Sequence, residues 1–157
     1  MDSDFVANVR RSADENYDSG LFCAESVLVA LANEQGIDPE LLTKIATPFC
    51  GGMSRMCGTC GALTGAIMGV GLTLGRSTPN QSVQPSYEVT QDLIREFEQT
   101  FGSRNCHELL GCDLNTTEGR QLFRENRLDE QCAGYTGKAA EIAARLVSLK
   151  KLDISGC

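Results

Sequence analysis

From Gly61 to Leu74 the chain runs almost without a polar side chain, and glycine returns every fourth residue, at Gly61, Gly65 and Gly69. On a helix these three share one side. An interior helix glycine costs about 1 kcal/mol relative to alanine. What offsets that cost is the close approach of another helix or of a bulky group. The apolar character runs nearly all round, so the segment reads as a buried central helix. Ala62 to Leu74 is the longest apolar stretch, is too short for a bilayer, and carries Thr64, Gly65, Gly69, Gly71 and Thr73. No membrane insertion is expected.

The other segments repeat with helical period. Ser3 can cap a first helix with Phe5, Val9, Ala13 and Tyr17 on one face, and Gly20 stops it. A second helix begins near Phe22-Cys23 and runs to about Glu34, with Val27, Leu28 and Leu31 as its stripe. Asp38-Pro39 is an N-cap followed by a proline suited to the first turn, and Leu41, Leu42, Ile45 and Phe49 mark the buried side. Pro48 and Gly51-Gly52 break the pattern. Arg76 to Ser86 is a polar loop. Val89, Leu93, Phe97 and Phe101 then mark a long helix that Gly102 ends. Asn105 and Glu108 have capping-box spacing before a short helix, and Thr116 or Thr117 starts another. After Cys132, Thr136 can cap a last helix with Ala139, Ile142, Ala143, Leu146 and Leu149 inside. No segment alternates with period two. The expected fold is all-α: one domain over 1–157, a compact bundle of about six or seven helices around the Gly/Ala-rich one.

The formal net charge is −7 and no Lys/Arg run stands out. Nucleic acid is therefore not an expected partner, nor is an anionic membrane surface. Met1-Asp2-Ser3-Asp4 lacks a basic region followed by an apolar stretch, so no signal peptide is read and a cytoplasmic location is expected.

Eight cysteines are anomalous in such a chain. Cytosolic thiols stay reduced, which favours metal binding or redox chemistry over a disulfide framework. Cys23, Cys60, Cys106 and Cys132 fall at or just before predicted helix starts. Free N–H groups there stabilise a thiolate. Several such ends converging suit an anionic group, and iron and sulfide on four thiolates is one. Cys57-x-x-Cys60 can be a dithiol pair or half a metal site. It is no haem-attachment motif, because Gly61 stands where histidine is needed. Cys106 and Cys112 can pair across a short turn. Cys50 sits in a glycine-rich bend and Cys157 is terminal. His107, the only histidine, reads as solvent-facing. The alternative for any single cysteine is a small buried hydrophobe.

Cys60-Gly61-Ala62-Leu63-Thr64-Gly65 resembles the signature of the C_GCAxxG_C_C family, redox-active proteins named for their cysteine pattern. Phe22-Cys23-Ala24-Glu25-Ser26-Val27, Gly51-Gly52-Met53, the run from Phe101 to Gly111 and Cys132 accompany it, so the resemblance spans about Phe5 to Leu149. It implies that Cys23, Cys60, Cys106 and Cys132 are the characteristic four. It also implies an iron–sulfur centre, as inferred for a related domain of split-Soret cytochromes. Cys50, Ser54 and the extra Cys57 depart from the usual pattern.

The leading expectation is a [2Fe–2S] cluster on those four thiols, with Gly61 and Gly65 letting the backbone approach it. Electrons would pass to a redox partner protein rather than transform a bound metabolite. A homodimer is compatible with the sequence but not demanded. Two alternatives stand: a thiol–disulfide oxidoreductase using Cys57 and Cys60, and a structural or sensor zinc module.

Overall fold

The computed structural model describes residues 3–156. It contains eight right-handed α-helices, one or two more than the bundle expected, and no strand among the described residues. The helices are α1 Ser3–Asp18, α2 Cys23–Asn33, α3 Pro39–Ala46, α4 Gly61–Leu74, α5 Gln84–Phe101, α6 Cys106–Leu110, α7 Thr117–Glu125 and α8 Asp129–Ser155. None is long and apolar enough to cross a membrane.

Helix α4 lies inside, with Ala62, Leu63, Ala66 and Val70 fully buried. It shares the centre with α2, which is buried without a break from Ala24 to Ala32. The spaced glycines explain the contact. A Cβ at Gly65 would lie 2.5 Å from the Ala24 carbonyl oxygen, and one at Gly69 would lie 2.1 Å from a Leu31 methyl. The two backbones thus touch where glycine removes the side chain. Val9 and Ala13 of α1, Val89, Leu93 and Phe97 of α5, and Ala139 to Val147 of α8 close around this pair. Burying such side chains stabilises by roughly 1.5–3 kcal/mol each for the larger ones.

The caps agree with the sequence in part. Asp38 accepts from the Glu40 N–H, and the Thr116 hydroxyl accepts from the Gly119 N–H. Gly102 and Gly111 take the left-handed conformation that ends α5 and α6. Asn105 makes no side-chain cap to the α6 backbone. The Ser103 hydroxyl bridges instead, donating to Glu108 and accepting from the Asn105 N–H.

Three expectations shift. The last helix begins at Asp129, so Cys132 lies within its first turn rather than before it. Thr136 does not cap: its hydroxyl donates to the Cys132 carbonyl one turn back, 2.7 Å away. On the side of α3 expected to be buried, Leu41 and Ile45 are exposed; Leu42 and Ala46 pack inward, with Phe49 from the turn that follows, because this short helix leans on α2 through one edge.

The chain does something less common between α3 and α4. After a 3₁₀ turn at Thr47–Phe49 and an extended Cys50, residues 51–55 wind left-handed. Gly51, Gly52, Met53, Ser54 and Arg55 have φ of 67°, 68°, 61°, 56° and 70°. The last three are not glycine, and each left-handed L-residue costs roughly 1–2 kcal/mol. Surroundings hold the turn in place: the Gly58 N–H donates to the Gly52 carbonyl at 2.9 Å, and the Ser54 hydroxyl donates to the Pro48 carbonyl at 2.7 Å.

Candidate redox site

Four helix starts and the left-handed turn meet at one end of the bundle. Cys23 is the first residue of α2 and Cys106 the first of α6. Cys60 caps α4. Cys132 stands one turn into α8. A two-loop clasp sets Cys60 beside Cys106. Thr59 and Asn105 form an antiparallel bridge, the Cys60 N–H donates to the Arg104 carbonyl at 2.7 Å, and the Cys106 N–H donates to the Gly58 carbonyl at 2.9 Å. Gly52 must be glycine under this clasp, since a Cβ there would lie 2.5 Å from that of Cys106.

All four cysteines named by the resemblance line a single cavity of about 470 Å³, and Cys50 joins them. Gly61 is part of its wall, where a Cβ would strike the Cys23 sulfur at 2.3 Å. Tyr17 and Tyr135 border the sulfurs. The Tyr135 hydroxyl donates to the Leu109 carbonyl at 3.3 Å, tying α8 to α6. Among the described residues no three Cys, His, Asp or Glu side chains stand close enough to hold one metal ion.

The electrostatics set one sulfur apart. The neighbouring Cys50 thiol, then the backbone N–H groups of Gly51 and Ala24, draw the Cys23 thiol down to about 7 against the desolvation of burial, while the Cys50 S–H has the Ala46 carbonyl as an acceptor at 3.8 Å. Contact with the Cys23 sulfur pushes Cys50 upward. Burial, then the charge on Cys23, pushes Cys60 to about 12 although the Ala62 and Leu63 N–H groups favour its charged form. Burial and Cys23 likewise push Cys106 to about 12. Cys132 rises for the same reasons, opposed by a hydrogen bond from the Tyr17 hydroxyl. Each buried thiol thus feels the others, and without a cation the pocket favours one thiolate at Cys23.

Other candidates fall elsewhere. Cys57 is exposed, with φ of 58°, and its thiol donates to the Asp113 carboxylate at 3.3 Å. That bond raises the Cys57 pKa. It does not line the cavity that holds Cys60. Cys112 is a free thiol buried with Leu110 and Leu128. His107 is exposed. Gly65 faces the α2 backbone, not the cavity. Cys157 lies outside the described residues. Sequence reasoning missed the roles of Tyr17 and Cys50. Tyr17 carried the signal of a polar tip on an apolar stripe; for Cys50 the only hint was its adjacency to two glycines.

Similarity to known proteins points the same way. Residues 21–146 match the family described as "Putative redox-active protein (C_GCAxxG_C_C)". An uncharacterized protein of Archaeoglobus fulgidus is 31% identical over 138 residues, covering 82% of this chain and 84% of the relative. No solved structure matches the chain.

Proposed function

The chain belongs to the C_GCAxxG_C_C family of redox-active proteins, and on that premise we propose that Cys23, Cys60, Cys106 and Cys132 hold a [2Fe–2S] cluster. One observation carries the reading: thiols from four separate helices line one cavity. A zinc ion draws four thiolates to about 2.3 Å from one centre. A binuclear cluster asks for a wider body between the thiolates, and a cavity of about 470 Å³ has room for it. Four cysteine thiolates suffice. Bound there, the cluster supplies one-electron transfer to and from a redox partner protein.

The chain's own groups prepare the site for net negative charge. Backbone N–H groups of Ala24 and Gly51 favour the charged form of Cys23, and those of Ala62 and Leu63 the charged form of Cys60. Tyr17 donates to Cys132. Hydrogen bonds to sulfur and burial are the protein's levers on potential.

A second reading, thiol–disulfide exchange, has one observation in its favour: the Cys50 thiol lies against the Cys23 sulfur. That contact moves the dithiol away from Cys57 and Cys60. Oxidation would join the two sulfurs and release two protons and two electrons to an incoming disulfide, which becomes two thiols.

An anaerobic visible spectrum of freshly purified protein separates the readings. Brown protein that bleaches on reduction supports the cluster. Protein that stays colourless and folded after anaerobic assembly with iron and sulfide contradicts it.

A further inference from the structure

Among the described residues, nine of the 14 Lys and Arg side chains stand in ion pairs. The exceptions are not scattered evenly. Arg76 and Lys151 lie elsewhere, but Arg55, Arg120 and Arg124 all line the thiol cavity, and no carboxylate among the described residues pairs with them. On a chain of net charge −7 this is a local reversal of sign. Two of the three, Arg55 and Arg124, are exposed. Arg120 is half-buried and spends one N–H on the Leu114 carbonyl at 2.9 Å, which leaves the rest of its fork free.

The cavity is also larger than its thiols require. Four inorganic atoms, each allotted the ~10–15 Å³ of probe space that a water needs, take about 40–60 Å³. The space measures about 470 Å³. Small-molecule sites span roughly 300–1,000 Å³ and combine apolar walls with a few placed polar groups. Beside the sulfurs, the apolar part of the wall includes Phe22, Leu109, Leu110, Leu114 and Phe123. Apolar wall and unpaired guanidinium therefore meet in one concavity. Arginine matches carboxylate and phosphate oxygens in bidentate fashion.

We propose that this cavity binds a small organic anion, its apolar body against Leu114 and Phe123 and its carboxylate, phosphate or sulfonate on Arg55 and Arg124. The inference goes beyond the cluster, because the arginines and the apolar wall are present whatever the thiols hold. It adds a small-molecule ligand to a site for which the sequence suggested only a partner protein.

The test uses two probes with the same aromatic body. 1-Anilinonaphthalene-8-sulfonate is anionic, and N-phenyl-1-naphthylamine is neutral. Both are titrated by calorimetry into the wild type, into the double variant Arg55→Gln/Arg124→Gln, and into Arg76→Gln as a control for an unpaired arginine elsewhere. The expected result is one sulfonate bound per chain, weakened at least tenfold in the double variant. The neutral probe changes less than twofold, and Arg76→Gln leaves both probes unaffected. Equal sulfonate affinity in the wild type and double variant overturns the inference, as does equal weakening in Arg76→Gln. Iron and sulfide are measured on the same samples. Iron-free protein that still holds the sulfonate through Arg55 and Arg124 upholds the inference and removes the cluster. Iron-bearing protein whose sulfonate binding ignores those arginines does the reverse.

Discussion

The helical core and the thiol-lined end are both rich in glycine, yet glycine serves them differently. In the core, Gly65 and Gly69 are right-handed and simply lack a side chain where α2 passes. At the site, Gly51 and Gly52 supply a handedness, with φ of 67° and 68°, that starts a left-handed turn. The core is held by interlocking aliphatic side chains from five helices. The site is held by backbone pairs between loops: Gly58 to Gly52, Cys106 to Gly58, Cys60 to Arg104. Strain in Met53, Ser54 and Arg55 collects on the second side only. Strained backbone of this kind persists where surroundings over-determine it, commonly at functional sites.

Substitutions at these glycines can break the comparison. Gly65→Ala is expected to cost the most, about 3 kcal/mol, because backbone meets the new Cβ and α2 must move. Urea denaturation checks it, and a near-neutral result would mean the α2–α4 contact is looser than described. Gly52→Ala should cost about 2 kcal/mol, from left-handed strain plus the clash with Cys106. Unlike Gly65→Ala it should also reduce iron uptake in the protein that remains folded, since Cys106 is displaced.

A pH series sharpens the contrast further. Folded Cys60 and Cys106 hold their protons to about 12, while the unfolded chain releases them near 9. Their stabilising contribution is complete below 9 and is lost as pH climbs toward 12. Cys23 acts in the opposite sense: its contribution is full above 9 and fades as pH falls through about 7. Metal-free protein should therefore unfold at lower urea at pH 10 than at pH 8, and Cys60→Ser should flatten the difference. Equal midpoints in the wild type would contradict the burial of these thiols. The smallest effect is a gain. Gly71 has nothing within 4 Å of a built Cβ. Gly71→Ala should stabilise α4 by about 0.5–1 kcal/mol, visible as a raised thermal midpoint.

The core was legible because its signal is side-chain periodicity. Val89, Leu93 and Phe97 are buried as their spacing predicts, and α4 sits inside as its apolar circumference predicts. Family resemblance and capping logic singled out the same four cysteines, and the structure gathers those four. What escaped was set by backbone conformation and by contacts distant in sequence. Nothing in Met53-Ser54-Arg55 announces left-handed geometry. The Thr59–Asn105 bridge joins residues far apart along the chain, and Cys57 turns out toward Asp113 although only two residues separate it from Cys60. Leu149 kept the periodic pattern yet lies exposed, while Val147 is buried and Lys150 pairs with Glu88 of α5 on either side of it.

That opposition between Cys57 and Cys60 gives the most direct test of the central claim. Iron and acid-labile sulfide per chain are measured side by side in anaerobically purified wild type, Cys57→Ser and Cys60→Ser. Iron and sulfide are expected to match in the wild type and in Cys57→Ser, with both lost in Cys60→Ser. Iron that survives Cys60→Ser but disappears in Cys57→Ser would contradict it, and so would a folded wild type that takes up neither element.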